Sequence, residues 1–296
     1  MSSVLASLAA AYPLLYLNPD TDSLDTYRSV VLRGEGPETR SLAHYHGHPA
    51  DRLETADTPA GSAQVLTLGD RRDFELVVRG LMAAKEGPQT VTPESQGAAM
   101  IHVFNWQRIH THLAAYPEEE QAAEFRRFIS VKANYLDMLV VLSRGPYSHV
   151  SASSVGYSEE EWLGYSDTIR RYHELTHFIC RRLYPDNVDT VRDELVADAV
   201  GLAAAFGRFD PEMEKRFLGI SDGRYTGGRL GNYTGVPALE AAPVCDALDR
   251  MVSLIGAARW AGPFDLIPVL MDRRNLPYQT VRPEDAETAG KAPGSP

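Results

Sequence analysis

Residues 172–178 read Tyr-His-Glu-Leu-Thr-His-Phe, so His173 and His177 lie four apart with Glu174 directly after the first. On a helix, residues four apart stand one turn above each other, and both imidazoles then project from one side toward a common ion. Glu174, about 100° around such a helix from His173, can reach a water on that ion without binding the ion itself. Two ligands and a general base thus come from one rigid element. A tetrahedral catalytic zinc needs a third protein ligand and keeps its fourth position for water. The candidate is Glu194, in the stretch Asp193-Glu194-Leu195-Val196-Ala197-Asp198. Asp198, one turn beyond Glu194, is the candidate acceptor for the second ring N–H of a ligand histidine, which would fix its tautomer.

These residues must sit on two neighbouring helices. Ser158 and Glu161 form a capping-box pattern, and the helix they open runs past His177 to about Leu183, where Pro185 ends it. A second helix spans roughly Asp189 to Phe206, with Gly207 at its end and a run of small residues, Ala197, Ala199, Gly201 and 203–205, that permits close approach. The short connection between them turns the chain back, so the two helices are expected to pack antiparallel.

His173-Glu174-x-x-His177 followed by Glu194-x-x-x-Asp198 resembles the gluzincin zinc metallopeptidases, the thermolysin-like group. The resemblance covers about residues 172–202. It implies zinc held by His173, His177 and Glu194, water polarised by Glu174, and a histidine oriented by Asp198. Sixteen residues separate His177 from Glu194, somewhat fewer than in thermolysin. No histidine follows His177 to stabilise an oxyanion, which leaves Tyr225 or Tyr233, from a Gly-rich loop at 219–235, as candidates for that task. The expected activity is that of a zinc-dependent hydrolase, a metallopeptidase acting on a peptide or another amide-containing substrate.

Two other readings stay open. Glu174 and His177 also make the ExxH unit of helical di-iron carboxylate oxidoreductases, but the chain has no second ExxH. A metal could also pin two helices in a non-catalytic interaction protein. Elsewhere, His44, His46 and His48 alternate, so an extended strand would aim all three one way; Gly47 and Pro49 favour a polar surface loop instead. His110 and His112, near Trp106, read as a structural pair, and Cys180 as a buried free thiol.

The rest of the chain bounds the class. With 29 Lys and Arg against 40 Asp and Glu, the net charge is 29 − 40 = −11, which disfavours nucleic acid and anionic lipid as partners. Two cysteines build no disulfide framework, and the apolar start from Val4 to Leu17 lacks the basic region of a secretion signal. No apolar run is long enough for a membrane span. A cytoplasmic location is expected.

The periodicity predicts a mainly α protein, with an α+β variant open through a small N-terminal β element. Residues 1–69 read as a mixed segment, including a strand at Tyr27–Val31 and another at Val65–Leu68. Residues 70–281 read as the helical hydrolase domain. Its helices are expected over Asp70 to about Gly87-Pro88, from near Glu94, from Glu118 to Ser143, and over Pro237–Trp260. Residues 282–296 read as a disordered tail.

Overall fold

The computed structural model describes residues 3–36, 40–82, 97–187 and 189–281. The chain is mainly α with a small sheet. It divides into two compact units, residues 1–57 with 62–144, and residues 58–61 with 145–296. The boundary falls at 144/145 rather than at 69/70, because the sheet that begins before residue 69 is completed by strands beyond it. The tail expected at 282–296 and the helix start expected near Glu94 lie outside the described residues, as does the helix end at Gly87-Pro88.

In the first unit the order is α1 (Ser3–Ala11), α2 (Leu24–Tyr27), β1 (Arg52–Thr58), β2 (Gly61–Leu68), α3 (Arg71–Met82), β3 (Ala98–Phe104), α4 (Trp106–Leu113), α5 (Glu118–Ile129) and β4 (Leu136–Ser143). The sheet runs β1-β2-β4-β3. β2 is parallel to β4, with Val65 opposite Val140, and β3 is antiparallel to it, with Ile101 opposite Leu139. α3 carries Phe74, Val77, Val78 and Leu81 into the core, as their spacing predicts.

Three expectations fail here. The helix expected from near Glu94 does not run on into the described residues, because Ala98–Phe104 is the strand β3, held by pairing with β4. The stretch Tyr27–Val31 is helical: the Ser23 hydroxyl accepts the Thr26 N–H and starts a turn that continues as a π-turn over Arg28–Leu32. The helix expected to reach Ser143 ends at Ile129, and Leu136–Ser143 is a strand. Phe125, Phe128 and Tyr135 do pack against the core, which sustains a helix-like spacing, but Val131 is exposed. Leu139–Leu142 is buried throughout, and a short continuous apolar run with paired β-branched valines suits a central strand.

The second unit contains α6 (Ala152–Val155), α7 (Glu159–Leu183), α8 (Thr190–Phe206), α9 (Pro211–Leu218), the short pair β5 (Ile220–Ser221) and β6 (Arg224–Tyr225), α10 (Leu230–Tyr233), α11 (Pro237–Ala257) and α12 (Leu266–Met271). Ser158 and Glu161 close the reciprocal capping box on α7. The Asp189 side chain caps α8 through Arg192 N–H at 2.9 Å, and Gly207 ends it at φ +67°. α7 and α8 lie antiparallel and close. At Gly201 a Cβ would stand 2.8 Å from the carbonyl oxygen of Ile169, so only glycine allows this approach. Among the described residues no helix is long and apolar enough to cross a membrane.

Candidate metal centre

Antiparallel packing opposes His173 and His177 of α7 to Asp193, Glu194 and Asp198 of α8. Both histidines are buried, and each ring is held from behind by its own carboxylate. His173 Nδ1 donates to Asp198 Oδ1 at 2.7 Å, and His177 Nδ1 donates to Asp193 Oδ2 at 2.8 Å. With both Nδ1 atoms carrying the proton, both Nε2 atoms present lone pairs. These point at each other, 3.0 Å apart. Glu194 approaches both, with its oxygens 3.4 Å from His173 Nε2 and 3.5 Å from His177 Nε2.

The spacing of these three atoms is compatible with one shared cation. Zinc bonds of roughly 2.0–2.1 Å in a tetrahedron set ligand atoms about 3.3–3.4 Å apart, close to the three separations found. The donor set, two imidazoles and a carboxylate, is that of a catalytic zinc with an open fourth position. Among the described residues, one other group brings three candidate donors together: His46, Asp70 and Asp73 of the first unit.

Without a metal, the pocket binds a proton instead. Burial opposes charge on His173, but Asp198 and Glu194 outweigh it and hold its pKa up at about 10. Burial likewise opposes charge on His177, yet Asp193 and Glu194 leave its pKa raised. Against the same burial, the facing histidines draw Glu194 down to about 2. Asp198, fully buried, is held well below the usual carboxylate range by Arg229 and His173 despite its desolvation.

Further residues complete the surroundings of Asp198, and the sequence did not mark them. The Tyr147 hydroxyl donates to Asp198 Oδ1 and lies 3.0 Å from His173 Nδ1, while its own oxygen accepts from Arg229 at 2.7 Å. Arg229 also pairs directly with Asp198 Oδ2. Tyr147 is fixed in turn: its backbone N–H donates to Ser166 Oγ at 2.9 Å, and Phe217 meets its ring edge-on at 5.0 Å. Glu214, on α9, lies buried against Asp198. Asp193 had one legible signal, its place beside Glu194 on the same helix. Tyr147, Glu214 and Arg229 come from three other elements and had none.

The expected residues fare differently. His173, His177 and Glu194 converge, and Asp198 takes the Nδ1 proton of His173. Glu174 is partly exposed, close enough for its charge to act on His177, and its side chain makes no hydrogen bond to a described residue. Of the two tyrosines, Tyr233 comes to the site: its hydroxyl faces Glu194, and burial, against the pull of Arg229, keeps it protonated. Tyr225 does not. Its hydroxyl is bound to the backbone of Gly228, donating to the carbonyl at 3.0 Å and accepting from the N–H at 3.1 Å.

The minor candidates take structural places. His44, His46 and His48 lie in a loop and diverge: His44 packs on Tyr45, His46 bonds Asp70, and His48 Nδ1 accepts the Ala50 N–H. His110 donates to Val31 O, and His112 stacks on Phe128 at 4.2 Å. Burial pushes the Cys180 thiol up to about 12.

Residues 17–258 match a family described as of unknown function, DUF7005. No curated protein and no solved structure matches the chain.

Proposed function

We propose that this chain, which belongs to the DUF7005 family, is a cytoplasmic zinc-dependent hydrolase that cleaves a peptide or related amide bond. One observation carries the reading: two imidazole lone pairs 3.0 Å apart beside a buried carboxylate, with both rings locked in the metal-binding tautomer by Asp198 and Asp193. His173, His177 and Glu194 are the residues that would hold the ion. When bound, zinc supplies Lewis acidity to a carbonyl oxygen and lowers the pKa of a coordinated water toward neutrality.

The protein's own groups do the rest. Glu174, unpaired among the described residues and partly open to solvent, takes the proton of the attacking water and delivers it to the leaving amine. Tyr233 is assigned to the developing oxyanion, supported by its protonated hydroxyl beside Glu194. Arg229 pairs with Asp198 and so helps hold that carboxylate, and the His173 ring bound to it, in one orientation.

The di-iron reading has less support. A dinuclear carboxylate site needs further acidic groups facing the ions, whereas Asp193 and Asp198 spend oxygens on the Nδ1 protons.

The test is elemental analysis of protein purified without added metal, with His173→Ala and Glu194→Ala alongside. Near-stoichiometric zinc in the wild type, lost in both variants, is expected. Glu174→Gln should keep the zinc and lose about 10²-fold or more of turnover on a fluorogenic peptide library. Undiminished turnover in that variant, or two irons per chain, would overturn the proposal.

A further inference from the structure

Glu214 is the one fully buried carboxyl of this region that the mechanism leaves without work. It sits on α9, held by the Asp210 cap at the start of that helix and by Phe217 one turn later, which packs against Tyr147 and Trp162. Its side chain is 0% exposed. Both its oxygens are buried, and no N–H or O–H donor of a described residue reaches either. What the carboxyl does face is Asp198, itself 0% exposed.

Two carboxyl groups in contact and sealed from water cannot both be charged. Charge repulsion adds to the desolvation cost of each buried ion. Asp198 is the member that ionises, since it holds the ion pair with Arg229 and accepts from His173 Nδ1 and the Tyr147 hydroxyl. The proton therefore belongs to Glu214, and burial together with the Asp198 charge pushes its acidity far in that direction. A protonated carboxyl has one O–H to give, and the Asp198 carboxylate is the acceptor it faces.

We propose that Glu214 is a positioning residue of the metal centre: a neutral carboxylic acid that donates its O–H to Asp198 and so completes the set of four donors, with His173, Tyr147 and Arg229, that fixes this carboxylate behind the His173 ring. The inference rests on the metal-site reading above. A carboxylate with every lone pair engaged keeps one orientation, and the ring it holds keeps its Nε2 aimed at the ion.

The test compares Glu214→Gln with Glu214→Leu in the full chain. Glutamine has nearly the same shape and still offers a donor, whereas leucine fills the space and offers none. Zinc affinity is read by competition with a chromophoric chelator. Glu214→Gln should bind within about twofold of wild type with an unchanged pH profile, and Glu214→Leu should bind 10- to 100-fold more weakly. Infrared spectroscopy reads the proton directly: wild type should show the C=O stretch of a protonated, non-exchanging carboxyl near neutral pH, and Glu214→Gln should lack it. That band decides the protonation even if the leucine variant does not fold. Its absence from wild type, or zinc binding weakened well beyond twofold in Glu214→Gln from removal of a buried negative charge that favours the cation, would overturn the proposal. So would wild-type affinity in a folded Glu214→Leu. A wild type that takes up no zinc sinks the metal reading instead, and the infrared band then still decides whether Glu214 holds a proton.

Discussion

Among the described residues, two clusters bring a histidine and at least one carboxylate together as three candidate metal donors, and they are built in opposite ways. In the second unit the Nδ1 atoms of His173 and His177 are bound from behind, which leaves two lone pairs and the Glu194 carboxylate facing one point. In the first unit His46, Asp70 and Asp73 are equally close. There, however, Asp73 accepts the backbone N–H groups of His46 and Gly47, and Asp70 accepts that of Asp73 and faces the His46 ring. Arg72 stands at the other ring nitrogen of His46, 3.2 Å away. The second cluster is a helix-start and loop anchor whose acceptors are already satisfied. Proximity of the right residue types is therefore not enough; what separates a cation site from an anchor is where the unused lone pairs point.

The largest contrast is expected on deleting one histidine from each cluster. His173→Ala should reduce bound zinc to background, while His46→Ala should leave zinc content unchanged; elemental analysis reads both. Next, Asp193→Asn should weaken zinc 10- to 100-fold by loosening the His177 ring. Asp70→Asn should not alter zinc affinity, and chelator competition would expose any equal response of the two clusters.

Gly201→Ala tests the close packing that brings the donors together. The added methyl meets the Ile169 backbone and should cost about 1–3 kcal/mol of stability with a loss of zinc affinity. Gly164→Ala on the same pair of helices meets no atom within 4 Å and should be neutral or slightly stabilising. Urea titration with and without chelator separates these outcomes.

The smallest step is per unit of pH. Metal-free His173 has a pKa of about 10, so zinc must displace a proton from it at neutral pH. Zinc affinity should rise roughly tenfold per pH unit from pH 7 to 9, with proton release visible by calorimetry in buffers of different ionisation enthalpy. The metal-free protein has the opposite trend. A raised histidine pKa contributes stability that is fully present below its unfolded value, about 6.5, and is lost as pH rises through about 10. Chelated protein should therefore lose stability toward high pH, at a slope that saturating zinc removes.

Much of the candidate site was legible because it is local. His173, Glu174 and His177 share one helix, Glu194 and Asp198 share the next, and caps at Ser158 and Asp189 mark where both begin. The fold of the first unit was less legible, because its decisive interactions are not local. Leu136–Ser143 becomes a strand only through pairing with β2 and β3, which no periodicity within 118–143 announces. The same limit hid Tyr147, Glu214 and Arg229. Each meets Asp198 from a separate element, and their residue types are ordinary in a turn, a helix and a Gly-rich loop. Tyr225 and Tyr233 stood eight positions apart in one loop, and only the backbone of Gly228 decides between them by occupying the first.

The short connection between α7 and α8 also bears on the order in which the protein folds. All three donors lie between residues 173 and 194, so the loop a cation would close is short and its entropy cost small. The sheet of the first unit must instead bring residue 65 alongside residue 140 before its parallel pairing gives any return. On the proposed metal reading, a helical hairpin would capture the ion early in folding, and supply of zinc during refolding should speed recovery of the second unit while leaving the slower sheet untouched.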